Sequence, residues 1–138
     1  MDYSGIAVQV LIALAMFDVW LVRYNRPVRA RGGDAKTMAE EFKVYGLPDW
    51  LLPLVRVLKL GSGVLMLVGI GYPVAALVAG IALAFLMAAA IVMHFKVKDP
   101  LFKAVPATFF FLLSCSYFLY LPTDFLCWRL SRLFLVFC

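Results

Sequence analysis

A single histidine and only eight acidic residues occur in these 138 residues, and each shortage removes a class of protein. A lone His94 cannot supply bis-histidine haem ligation within one protomer. Cys115, Cys127 and Cys138 have neither CxxC nor any other metal-ligand spacing, so no metal site is expected. A Cys127 to Cys138 bridge on an oxidising outer face stays open, with no framework that requires it. No Ser-His-Asp set, Walker loop or dinucleotide fingerprint stands in a suitable context. With 65% of residues hydrophobic and 15% charged, and a mean hydropathy of +0.97, too little polar surface remains for a soluble catalytic domain.

What the chain has in abundance is apolar sequence in lengths that fit a bilayer. Stretches over 4–22, 51–70, 74–95 and 104–121 each approach the ~20 residues an α-helix needs to cross ~30 Å of hydrocarbon. The fold class expected is all-α: a four-transmembrane-helix bundle as one membrane domain, with a short cytoplasmic interfacial helix near 37–45 and a hydrophobic C-terminal tail over 125–138. That tail is too short to span and is interrupted by Arg129 and Arg132. It reads as interfacial, with contact to a partner subunit as the alternative.

The net charge of +5 reads as topology, not as nucleic-acid binding. Arg23, Arg26, Arg29, Arg31, Lys36 and Lys43 lie between the first two spans, Arg56 and Lys59 open the second, and Lys96, Lys98 and Lys103 surround the third connection. In a four-pass chain these share one face, which the positive-inside rule makes cytoplasmic, and both termini then fall on the outer side. The first span has no basic residue before it and a basic run after it, the reverse of a cleavable signal, and reads as a retained anchor.

Between the first two spans, Asn25-Arg26-Pro27 ends a helix. Thr37-Met38-Ala39-Glu40 has capping-box spacing, and Met38, Phe42 and Tyr45 follow at helical intervals. Gly71-Tyr72-Pro73 allows only a tight turn, so the second and third spans are antiparallel neighbours. Ala76, Gly80, Ala84 and Ala88 recur every fourth residue, and with Gly61, Gly63 and Gly69 on the preceding span they predict close helix packing. Mid-membrane Ser114, Cys115 and Ser116 are expected to bond to the preceding turn or across helices.

Ionisable groups inside spans are expensive and so draw attention as candidate sites. Asp18, Arg56, Lys59 and His94 converge on the cytoplasmic end, with Lys59 about 12 Å past the start of its span at 1.5 Å per residue. An Asp18 to Lys59 or Asp18 to Arg56 pair is expected to neutralise the site. A basic pocket beside His94 suits an anionic lipid head group or a quinone carbonyl. The plainer reading leaves each group at headgroup level or paired only for insertion.

Phe42-x3-Gly46-Leu47-Pro48, Lys59 with Gly61, Gly63 and Gly69, the Tyr72-Pro73 turn, and Ala88 to His94 closing the third helix together resemble the DoxX-like family of small four-helix membrane proteins, over about 17–120. Many members carry a Glu in the glycine-rich part of the second helix, where Gly63 to Met66 supply none. The resemblance implies a helper in a larger membrane assembly. Relatives include a small subunit of quinone-linked oxidases, a component tied to oxidative-stress complexes and a receptor-channel chaperone. The function expected is an accessory or assembly subunit, with a quinone as its cofactor class, and with membrane lipids and other membrane subunits or further copies of itself as partners. The alternative is a quinone-binding oxidoreductase using the charged pocket. A small transporter has less behind it, since no broken-helix pair or repeat of the halves is present.

Overall fold

The structure, a computed structural model, describes residues 3–120, so the C-terminal tail expected over 125–138 lies outside the described residues. Among those residues every regular element is helical. Helix α1 runs Tyr3–Phe17 and continues into a π-helical turn, Asp18–Val22; α2 spans Met38–Val44, α3 Leu51–Val68, α4 Pro73–Lys96 and α5 Leu101–Tyr120. Tyr3–Val22, Leu51–Val68 and Pro73–Lys96 are long and apolar enough to cross a membrane, and α5 is a further apolar helix.

The four long helices close a ring of neighbours: α1 packs on α3 and α5, and α4 packs on α3 and α5. Their shared core holds Ile12, Ala13 and Met16 from α1, Met66 from α3, Ala76, Leu83 and Met87 from α4, and Tyr117 from α5. Many large apolar side chains face outward instead, among them Leu14, Val57, Phe85, Val92 and Val105, as suits helices solvated by hydrocarbon. Ser114 and Ser116 donate to the carbonyls of Phe110 and Leu113 at 2.8 and 2.9 Å, so their hydroxyls are satisfied within their own helix.

The junctions follow from local chemistry. Gly71 and Tyr72 donate to Val68 O at 3.1 and 3.0 Å, and Pro73 then opens α4, where its missing N–H costs nothing. This turn brings Gly69 against Ala76 so closely that any Cβ on Gly69 would collide with the Cβ and backbone of Ala76. Gly63 is also a contact position, with Met16 and Phe17 3.4 Å from where a Cβ would stand. Gly61 faces outward into open space.

The small-residue stripe on α4 drifts for a geometric reason. Ala76, Ala79, Gly80, Leu83 and Met87 are buried, whereas Ala84 and Ala88 are half-buried. Steps of four residues overshoot a turn by about 40°, so the fourth member of a strict i+4 series sits about 120° round from the first. The buried face keeps to alternating steps of three and four.

At the other end, α2 begins on Thr37, whose hydroxyl accepts from Glu40 N at 3.3 Å. The Glu40 carboxylate reaches back to Lys36 N at 2.7 Å, one residue before the cap. Gly46, at φ +72, closes α2 in a Schellman motif, with Leu47 N on Phe42 O and Gly46 N on Lys43 O, both 3.0 Å. Helix α4 ends the same way, Asp99 N on His94 O at 3.0 Å and Lys98 N on Phe95 O at 3.1 Å, except that the left-handed position at φ 55 is Lys98.

Candidate functional site

Between the π turn, α2, the first half of α3, the end of α4 and the start of α5 lies a cavity of about 330 Å³, walled mainly by apolar side chains, a size typical of small-ligand pockets. Helix α2 closes it by turning Met38, Phe42 and Tyr45 inward. Trp20, 2% exposed, packs its ring against Phe42 edge-on with centroids 6.5 Å apart.

The π turn decides which side chains face the cavity. Arg23 N bonds to Asp18 O, five residues back, at 2.8 Å, which widens one turn and shifts every later side chain round the axis. Trp20 is thereby buried, while Asp18 pairs with Arg23 at 2.7 Å near the surface. The Asp18 to Lys59 or Arg56 pair expected from the sequence is therefore not made. Aromatic rings take the carboxylate's place: the Arg56 guanidinium lies 4.3 Å from the Tyr24 ring centroid and the Lys59 ammonium 5.0 Å from that of Trp20. Trp20 and Tyr24, four apart on one chain segment, meet Lys59 and Arg56, three apart on α3, as two parallel rungs.

Lys59 and His94 both line the cavity; Arg56 and Asp18 do not. Among the described residues Lys59 has no carboxylate within the 4.0 Å of an ion pair. A desolvated cation–π contact contributes on the order of 2 kcal/mol. Removing an ammonium from water costs several kcal/mol, so the ring alone does not balance the charge.

A connected polar network borders the same space. The Glu41 carboxylate accepts from Arg31 Nη1 at 3.2 Å, from Gly32 N at 2.8 Å and from Tyr45 Oη at 2.8 Å. Arg31, 5% exposed, also donates to the carbonyls of Arg23, Tyr24 and Arg26, tying the first connection to α2. Tyr45 Oη stands 3.4 Å from His94 Nδ1, their rings edge to face. His94 Nδ1 meets Asp99 Oδ2 at 2.9 Å, and Asp99 Oδ1 accepts from Gly33 N at 2.9 Å with Lys103 Nζ 3.5 Å away. Lys103 also donates to Gly33 O at 2.6 Å.

Burial, and then the Glu41 carboxylate beside it, push the Tyr45 phenol well above the usual tyrosine range, so its hydroxyl stays a donor at physiological pH. Burial alone would raise the Asp99 carboxyl. The His94 hydrogen bond, the Gly33 amide and the Lys103 charge together outweigh it and hold the group below the ordinary carboxylate range. Gly32 is required here, because a Cβ on it would collide with the Tyr45 ring.

Sequence reasoning singled out His94 and Lys59 but passed over Arg31, Glu41, Tyr45, Asp99 and Lys103. For Glu41 a signal existed. Positions 38, 41, 42 and 45 form one helical face, so Glu41 sits in the apolar stripe of α2 and needs a buried partner. Nothing comparable marks Asp99, which reaches His94 only because Lys98 adopts a left-handed conformation.

Three bilayer-length apolar helices, a fourth apolar helix packed among them and a charged cavity at one end define a small multi-pass helical membrane protein. The model of the DoxX-like family matches residues 7–116, and the chain belongs to that family. No curated protein and no solved structure matches it.

Proposed function

We propose that this protein is a four-pass accessory subunit of a larger membrane assembly and that it holds the head group of a membrane quinone in the cavity under α2. The observation that carries the reading is the cavity itself, about 330 Å³ of mainly apolar wall with donors gathered at its polar edge. Quinone carbonyls only accept hydrogen bonds, and the Lys59 ammonium is the donor available to them, since the Tyr45 hydroxyl already donates to Glu41. The accessory role is supported by the scarcity of reactive groups and by the outward apolar faces of α3, α4 and α5. The distribution of Lys and Arg supports a cytoplasmic cavity and outer termini.

Purification from native membranes in mild detergent, with mass spectrometry of co-purifying proteins and lipids, tests both halves. A stoichiometric membrane partner and retained quinone are expected; a lone protein without quinone overturns the reading. The His94–Asp99 pair beside the cavity favours a second reading, in which this cavity is the quinol site of an oxidoreductase, the pair taking a proton from the quinol hydroxyl while a redox-active partner subunit accepts the electrons. Lys59→Met separates the two: turnover lost with the complex intact favours chemistry at the site, and an unaffected turnover favours the accessory role.

A further inference from the structure

We infer that the cavity takes an amphiphile bearing a single ionised oxygen head, and that Lys59 is the counter-charge that selects it. The inference rests on the reading of this cavity as a ligand site and narrows the ligand's chemistry.

The charge pattern around the cavity carries it. Arg23 is matched by Asp18 at 2.7 Å, Arg31 by Glu41 at 3.2 Å, and both His94 and Lys103 face Asp99, at 2.9 and 3.5 Å. Among the charged groups of the wall only Lys59 lacks a carboxylate at ion-pair distance within the described residues. Glu41 is the carboxylate whose charge reaches Lys59, yet its oxygens already accept from Arg31, Gly32 N and Tyr45. The Trp20 ring lies 5.0 Å from the ammonium, and Lys59 is one of the residues that line the cavity. An apolar space with one unmatched cation favours an apolar body with one anionic oxygen over a neutral analogue.

Two sources share that chemistry, an acidic hydroxyquinone and a fatty acid, and paired probes distinguish them. Calorimetric titration of the purified full chain in neutral detergent would compare an alkyl hydroxynaphthoquinone, ionised at neutral pH, with its methyl ether, and myristate with myristyl alcohol. The ionised member of at least one pair is expected to bind about tenfold more tightly or better. Lys59→Met is expected to erase that preference and Lys59→Arg to keep most of it. If Lys59→Met does not fold, Lys59→Gln serves, and the wild-type comparison stands without either variant. Equal binding of both quinones, with no preference for myristate, overturns the counter-charge and leaves the quinone pocket intact. A myristate preference without quinone binding upholds the counter-charge and overturns the quinone reading. Binding of none of the four overturns both.

Discussion

His94 Nδ1 lies 2.9 Å from Asp99 Oδ2, five residues further along the chain, because α4 ends by folding its own C-terminus back over its last turn. The contact gives the imidazole a fixed orientation beside the cavity and gives the carboxylate, 4% exposed, the partners it needs to remain ionised.

From this pair follows a prediction on acid stability. Asp99 titrates below its ordinary value, so its contribution is complete above an unfolded pKa of about 3.9 and is lost as pH falls through the lower folded value. Asp99→Asn is expected to cost about 1–3 kcal/mol near neutrality and to flatten the acid limb of the stability curve. Thermal unfolding in detergent at descending pH checks it; an acid limb unchanged by the substitution contradicts the assignment.

Lys98 occupies a left-handed conformation at φ 55, which costs a non-glycine residue roughly 1–2 kcal/mol. Lys98→Gly is accordingly expected to raise stability by up to about 1 kcal/mol, since glycine gives back part of the gain as unfolded-state entropy. The melting temperature is the readout, and a fall would show that the Lys98 side chain contributes more than its backbone strain costs.

The Arg31–Glu41 pair should behave as a coupled unit. Glu41→Gln leaves a guanidinium buried without its counter-charge, at a cost of about 3–5 kcal/mol, and also weakens the bonds from Gly32 and Tyr45. Adding Arg31→Met should recover part of that loss, so a double-mutant cycle is expected to be strongly non-additive. Additive effects would mean that the two side chains contribute independently.

Gly61 and Gly69, about two turns apart along the same segment, make a matched control. Gly69→Ala places a methyl against the Ala76 backbone and is expected to cost about 1–3 kcal/mol by overpacking. Gly61→Ala enters open space and should be neutral or slightly stabilising through helix propensity. Equal effects in a side-by-side melt would contradict the packing described for the α3–α4 turn.

How far the site could be read in advance differs residue by residue. Lys59 and His94 stand out because charge in an apolar run is costly wherever the helices go. Asp18 was equally visible, but its partner depended on a π turn that no local signal announces, and one extra residue in one turn was enough to send it to Arg23. The Ala76 to Ala88 stripe goes from buried in its first two members to half-buried in its last two for a similar reason, a small angular error per turn that accumulates along a long helix.

By itself the sequence determined the helical class, the bilayer-length apolar segments, the tight α3–α4 turn and the family, since hydropathy, proline and glycine placement act over a few residues and survive any packing. Only the tertiary structure decided which charges meet. It gave Arg31 to Glu41, His94 to Asp99 and an aromatic face to Lys59. Ion pairing is fixed by distances of a few ångströms between elements far apart in the chain, and those distances depend on how each helix end turns.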